Sequence, residues 1–137
     1  MKKIILVFYS VLFALACYSA PSAAFTRAWR NGAMAKIAVK VLDDQGNPVS
    51  NAGVRAFFEM VLKGGGEVVN ATTDKNGCAM LTGKTSSSIF FKVSKDGYYA
   101  TNEELCFVAM GQEYEVNRGK WQPWGLQKIP SLRRCIF

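Results

Sequence analysis

The sequence predicts an all-β protein, a single β-sandwich of about seven short strands that follows an N-terminal export signal. Three observations predict it. Apolar and polar residues alternate in several short segments, these segments recur about every 10 residues, and turns rich in Gly, Asn and Asp separate them. The 137 residues are enough for one domain. Beyond the N-terminal signal, no stretch keeps a helical period.

Residues 1–24 have the features of a signal peptide. Lys2 and Lys3 give a basic start, an apolar run occupies 4–16, and small residues at 22–24 provide a cleavage site before Phe25. The apolar run is shorter than the roughly 20 residues that a membrane-spanning helix needs. We therefore expect an exported protein, with a retained N-terminal membrane anchor as the alternative.

Cys17 adds a second alternative at the N-terminus. It follows Ala14-Leu15-Ala16, which loosely resembles the site at which bacterial lipoproteins are cleaved and lipidated. Ala14 stands where leucine is expected, so loss of Cys17 with the signal peptide is the simpler interpretation. Contact with a membrane is expected only through the signal segment or such a lipid anchor.

The sandwich is predicted to span residues 36–117, after a lead-in at 25–35 that shows no clear period. In its first strand Ile37 and Val39 point to one side and Lys36 to the other, as in a half-buried strand. The predicted strands comprise residues 36–41, 54–60, 67–73, 78–82, 89–94, 105–108 and 114–116.

Residues 118–137 are predicted to form a basic, irregular C-terminal tail. Alternation is lost, and Pro123 and Pro130 discourage an interior strand. No closing strand is expected after Trp124, and one hypothesis is that the chain is truncated or changes reading frame near its end. After the signal segment, the excess positive charge lies in this tail, because basic and acidic residues balance in 25–117. Solvated surface charge is the simpler interpretation, and no nucleic-acid partner is expected for an exported protein.

Three turn motifs resemble the carboxypeptidase regulatory-like domain family. They are Asp-Gln-Gly-Asn-Pro at 44–48, Thr-Asp-Lys-Asn-Gly at 73–77 and Lys-Asp-Gly-Tyr at 95–98. The family belongs to the transthyretin-like and Cna B-type immunoglobulin-like sandwiches. The resemblance implies an immunoglobulin-like or prealbumin-like fold and a module that accompanies enzymes, transporters or surface proteins.

The composition argues against catalysis. The chain contains no histidine, which excludes Ser-His-Asp and Cys-His mechanisms and removes the commonest zinc ligand. The neighbouring acids at 43–44 and 103–104 are predicted to point to opposite faces of a strand. We expect no enzymatic activity, no cofactor and no metal.

Three cysteines follow the signal segment: Cys78, Cys106 and Cys135. An exported protein can form disulfides, and Cys78 with Cys106 is the candidate pair because both lie on predicted strands. Two buried free thiols explain the same residues equally simply.

Late aromatic residues are the candidate binding residues. Tyr98, Tyr99, Trp121 and Trp124 are candidates for a stacking surface that binds a sugar or peptide, and a place in the core is the commoner role of aromatics in a sandwich. The expected function is a structural or binding role in the cell envelope, periplasm or extracellular space, with a protein or glycan partner that the sequence does not name. The alternatives are an accessory domain of an envelope enzyme or transport complex and a glycan-binding module.

Overall fold

The computed structural model describes residues 21–108 and 114–135. The predicted signal core and Cys17 lie outside the described residues. The described part is mostly β-structure with one α-helix and a 3-10 turn (Val61–Lys63). The elements are α1 (Ala23–Asn31), β1 (Ala33–Lys40), β2 (Leu42–Asp43), β3 (Gly53–Met60), β4 (Gly65–Thr72), β5 (Cys78–Thr85), β6 (Ser88–Ser94), β7 (Thr101–Cys106), β8 (Val116–Asn117), β9 (Lys120–Trp121), β10 (Leu126–Lys128) and β11 (Ser131–Leu132). Among these elements, no helix is long and apolar enough to cross a membrane.

The strands form two layers. In one layer, which we call the β3–β6 sheet, the antiparallel order is β4-β3-β6-β7. In the other, the β1–β5 sheet, β5 pairs antiparallel with β1, while β9 and β10 run parallel to β1 on its other side and β8 pairs with β9. Beyond β1, the short strand β2 pairs in parallel with β11.

The core lies between the two layers and follows from alternation along the strands. Ile37 and Val39 on β1 and Ala56 and Phe58 on β3 are fully buried. The layers approach closely at Gly83 on β5, where an added Cβ would lie 2.6 Å from the Phe58 ring. Glycine is therefore required there for lack of space.

An all-β sandwich is confirmed, but the count of seven strands is not. The described residues form eleven strands, of which five have only two or three residues. Such short strands carry too little alternation for a sequence pattern to reveal them.

The predicted lead-in at 25–35 contains most of helix α1 and the first residues of β1, although its sequence shows no clear period. Ser22 caps α1, since its Oγ accepts a hydrogen bond from the Phe25 amide at 3.1 Å. The Phe25 ring packs edge-on against Trp121, with ring centroids 5.8 Å apart, and Ala28 is buried. The predicted cleavage site thus lies in the first turn of α1.

The prediction of an irregular tail is wrong for the described residues up to 132. Strands β9 and β10 pair with β1, and β11 pairs with β2. Trp121 is fully buried and its Nε1 donates to the Thr85 carbonyl oxygen at 2.9 Å. The two prolines lie between these strands, where they interrupt no ladder. The segment is held by its partner strand β1, and a local pattern cannot show such a partner.

Candidate functional site: a groove on the outer face of the β3–β6 sheet

The outer face of the β3–β6 sheet carries an open groove of about 610 Å³. Strand register places its side chains in two rows across the four strands. One row is Val68, Phe57, Phe90 and Glu104, and the next is Asn70, Arg55, Lys92 and Asn102.

The floor of the groove is apolar. Val68 is 44% exposed, Phe90 is also exposed and Phe57 is half-buried. The Phe57 ring lies over the backbone of Gly66 on β4. A side chain at position 66 would clash with it, since an added Cβ would lie 2.7 Å from the ring atoms. This contact holds the ring against the sheet. The groove therefore presents an apolar surface to solvent.

Two positive charges lie beside the apolar floor. Arg55 and Lys92 stand directly opposite each other on β3 and β6. Like charges in such a pair repel. Neither takes part in an ion pair in the described part of the chain, where the salt bridge found joins Arg134 to Asp43. The pair thus offers an unneutralised site for an anionic group.

A carboxylate closes the groove on the β7 side. Glu104 stands opposite Phe90 and accepts a hydrogen bond from the Ser88 hydroxyl at 3.0 Å. This bond fixes the carboxylate in place. A ligand that fits the groove therefore meets apolar surface in the middle, positive charge on one side and negative charge at one end.

The predicted aromatic residues do not form one platform. Trp121 is a core residue, stacked on Phe107 at 5.1 Å between ring centroids. Trp124 is exposed in the turn between β9 and β10, with Lys120 Nζ 4.8 Å from its ring centroid. Tyr98 and Tyr99 follow the turn after β6, where Tyr98 is half-buried and Tyr99 is exposed.

Phe57 and Phe90 were not among the predicted binding residues, although the sequence indicates that they face outward. Phe57-Phe58 and Phe90-Phe91 are consecutive pairs within predicted strands. Consecutive strand residues point to opposite faces, so one member of each pair must leave the core. The structure buries Phe58 and Phe91 and leaves Phe57 and Phe90 on the outer face.

A disulfide between Cys78 and Cys106 is incompatible with the structure. Cys78 begins β5, whereas Cys106 pairs with Ser88, which contacts Thr85 at the other end of β5. The rise along a strand separates the two cysteines by on the order of 20 Å. A disulfide needs Cα atoms within about 7 Å. Cys78, Cys106 and Cys135 are free thiols in the structure.

The Asp43 carboxylate stabilises the turn that follows β2. Asp43 Oδ1 accepts hydrogen bonds from the backbone amides of Gln45 at 2.9 Å and Asn47 at 2.8 Å. These bonds, above all the one from Asn47, hold the pKa of Asp43 below its ordinary value of 3.8. Asp43 is buried and its neighbour Asp44 is exposed, as the alternation argument predicts. The described residues contain no group of three or more acidic or cysteine side chains placed to hold a metal ion.

Comparison with known proteins gives a likeness of fold. No family model and no curated protein matches the sequence. Among solved structures, 3-chlorocatechol 1,2-dioxygenase from Rhodococcus opacus 1CP is similar with a TM-score of 0.57 and 12% identity, over 77% of this chain and 61% of that chain. Catechol 1,2-dioxygenase from Acinetobacter radioresistens gives a TM-score of 0.53 at 13% identity, over 80% of this chain and 54% of that chain.

The Bacillus anthracis TIE protein is a third similar structure. Its TM-score is 0.52 at 20% identity, over 74% of this chain and 18% of that chain. This chain spans only part of the length of each of the three proteins. At such identities the likeness shows a shared sandwich fold and nothing further.

Proposed function

We propose that the chain is an exported, non-enzymatic β-sandwich module that binds a protein partner through the groove on the β3–β6 sheet. The observation that carries the proposal is the groove itself, an exposed apolar floor with two unneutralised cations beside it. Exposed apolar surface rimmed by polar residues is typical of interaction sites.

The apolar floor favours a protein over a sugar. Phe57, Phe90 and Val68 are packed side by side across three neighbouring strands. Such a surface takes an apolar side chain from a partner, and aromatic residues are enriched at the centres of protein interfaces. The partner segment therefore contributes at least one apolar side chain.

The two cations, Arg55 and Lys92, favour a partner segment in which an acidic residue lies next to the apolar one. A carboxylate placed between Arg55 and Lys92 relieves the repulsion of the opposed pair. The Arg55 guanidinium is suited to a bidentate bond with such a carboxylate. The partner chemistry we propose is an acidic residue beside an apolar one.

We assign the sandwich to the carboxypeptidase regulatory-like, prealbumin-like type. The turn motifs support this, since each forms a tight turn in the structure. Gly77 closes the second motif with φ of 74°, and an added Cβ there would lie 2.6 Å from the Val41 carbonyl oxygen. The signal-like N-terminus supports a location in the periplasm, in the envelope or outside the cell.

The competing functions have less support. An accessory domain of an envelope enzyme or transport complex would use the same groove and differs only in the identity of the partner. Glycan binding through the late aromatics lacks a shared platform, because Trp121 is in the core and Trp124 lies in the turn between β9 and β10. The absence of histidine from the chain supports a non-enzymatic role.

Site-specific photo-crosslinking in the native host tests the proposal. A photoreactive residue replaces Val68 in the groove or, as a matched control, Met80 on the other sheet. Val68 is 44% exposed and Met80 is 53% exposed. We expect Val68 to capture one discrete protein that Met80 does not capture. Arg55→Glu should abolish this product because it removes the carboxylate site.

Either of two results would contradict the proposal. One is the same set of products from both positions, and the other is a Val68 product that survives both Arg55→Glu and Phe90→Ser. The N-terminus of the captured chain, determined by mass spectrometry, tests export as well. A chain that still begins at Met1 contradicts signal cleavage, whereas one that begins at Cys17 with acyl groups identifies a lipoprotein.

A further inference from the structure

The outer face of the β1–β5 sheet is strongly basic. Strands β1, β5, β8, β9 and β10 contain no Asp or Glu, and Glu115, just before β8, is the acidic residue nearest to them in sequence. Four lysines point to the outer face of this sheet, because they alternate along their strands with residues that are buried in the core. They are Lys36, Lys40, Lys84 and Lys120.

These lysines are free of ionic partners within the described ranges. The salt bridge found there, between Arg134 and Asp43, lies elsewhere in the fold. Lysine ammonium groups that share a face without carboxylates repel one another, and an anionic surface relieves that repulsion. We call this surface the lysine face.

Exposed apolar side chains lie among the lysines. Met34 stands opposite both Lys84 on β5 and Lys120 on β9. Lys120 Nζ lies over the ring of Trp124, which is 38% exposed. Met80 is also exposed on this face, opposite Ala38 on β1. The face therefore combines flexible cations with unbranched or aromatic apolar groups.

We propose that the lysine face binds the surface of a lipid bilayer that contains anionic phospholipid. Lysines reach phosphate groups through long apolar stems, and methionine and tryptophan side chains enter the boundary between headgroups and acyl chains. A soluble anionic polymer offers no apolar phase for Met34, Met80 and Trp124. A protein partner is disfavoured because lysine is depleted at protein interfaces.

This assignment orients the domain. The lysine face and the groove lie on opposite outer faces of the sandwich. With the lysine face on a bilayer, the groove points away from the membrane toward a protein partner. The inference rests on the charges of the β1–β5 sheet and is independent of the proposed function.

Vesicle sedimentation with two matched double variants tests the proposal. The full chain is mixed with vesicles of phosphatidylcholine alone or with phosphatidylglycerol added. Lys36→Glu with Lys84→Glu reverses two charges on the lysine face, and Arg55→Glu with Lys92→Glu makes the same change in net charge on the groove face. All variants carry the same N-terminal segment, so a difference between them reports the folded domain.

We expect the lysine-face variant to lose anionic-vesicle binding selectively. Each lysine near an anionic bilayer changes the partition coefficient by about fivefold, so the double reversal should weaken binding by about 25-fold or more. The groove-face variant should bind vesicles like the wild type and lose the crosslinked partner. Circular dichroism of both variants checks that they are folded.

Three results would overturn the proposal. The first is no preference of the wild type for vesicles with phosphatidylglycerol. The second is an equal loss in both double variants, which would reflect net charge alone. The third is unchanged vesicle binding by Trp124→Ser together with equally tight binding of heparin, which would assign the face to soluble anionic polymers instead of lipid.

Discussion

Replacing Trp121 with alanine removes the largest fully buried side chain among the described residues. The indole stacks on Phe107 at 5.1 Å between centroids, receives the edge of Phe25 and donates from Nε1 to the Thr85 carbonyl oxygen at 2.9 Å. These contacts join the C-terminal segment, helix α1 and the end of β5. The substitution therefore tests whether the segment after residue 117 is an integral part of the sandwich.

The expected loss is large for a domain of this size. Truncation of a buried tryptophan to alanine costs about 3–5 kcal/mol through lost contacts and the cavity left behind. A buried carbonyl left without its donor, here that of Thr85, costs about 1–3 kcal/mol more. Domains unfold with about 5–15 kcal/mol in total, so Trp121→Ala should remove about a quarter of the stability or more. Trp121→Phe keeps a ring on Phe107 and loses the hydrogen bond, so about 1–3 kcal/mol is expected.

Urea unfolding followed by far-UV circular dichroism measures these losses, with the free energy of unfolding extrapolated to water. Trp124→Ala is the matched control, because Trp124 is exposed and its contact with Lys120 contributes only about 0.5–1 kcal/mol. If the two alanine variants differ by less than about 1 kcal/mol, Trp121 is not a core residue and the tail is not docked.

Two further predictions concern packing and pH. Gly83→Ala should destabilise by about 1–3 kcal/mol in the same urea assay because its Cβ would lie 2.6 Å from the Phe58 ring. Gly53→Ala, with its nearest neighbours at 3.7 Å, is the control, and equal stability of the two variants would disprove the close contact. The pKa of Asp43 is lower in the folded than in the unfolded state. The ionised carboxylate therefore contributes its full stabilisation of the fold above about pH 3.8, and this stabilisation is lost as the pH falls through the folded-state pKa. Asp43→Asn should therefore lose less stability than the wild type on acidification below pH 3.8, whereas exposed Asp44→Asn should follow the wild type. Equal acid dependence of Asp43→Asn and the wild type would contradict the assignment.

Local alternation and turn residues predicted five of the strands, β1, β3, β4, β5 and β6, to within a few residues at their ends. Ile37 and Val39 were predicted on one side of β1, and they are buried there. The Asp-Lys-Asn-Gly turn at 74–77 was predicted from residues that bond to their own backbone, and Asp74 Oδ1 accepts from the amides of Asn76 and Cys78. These features depend on neighbours in sequence, so the sequence pattern was enough to reveal them.

The two proposed interaction faces required strand register. The Phe57-Phe58 and Phe90-Phe91 pairs indicate that some aromatic residues face outward, but only the pairing of β3 with β6 places Phe57 beside Phe90 and Arg55 beside Lys92. Register likewise brings Lys84 and Lys120 to either side of Met34. Such neighbours are distant in sequence and have no local signature.

Pairing between distant segments also decided where the tail, the cysteines and the late tryptophans lie. Trp121 and Trp124 are three residues apart, yet one is in the core and the other on the surface, because β9 and the turn after it dock on β1. Cys78 begins β5 and Cys106 ends β7, and strand pairing places them at opposite ends of the sandwich. A sequence pattern reports which residues can form a strand and which side of it is apolar. The choice of partner strand is made by the free energy of the whole core, and only the tertiary structure shows it.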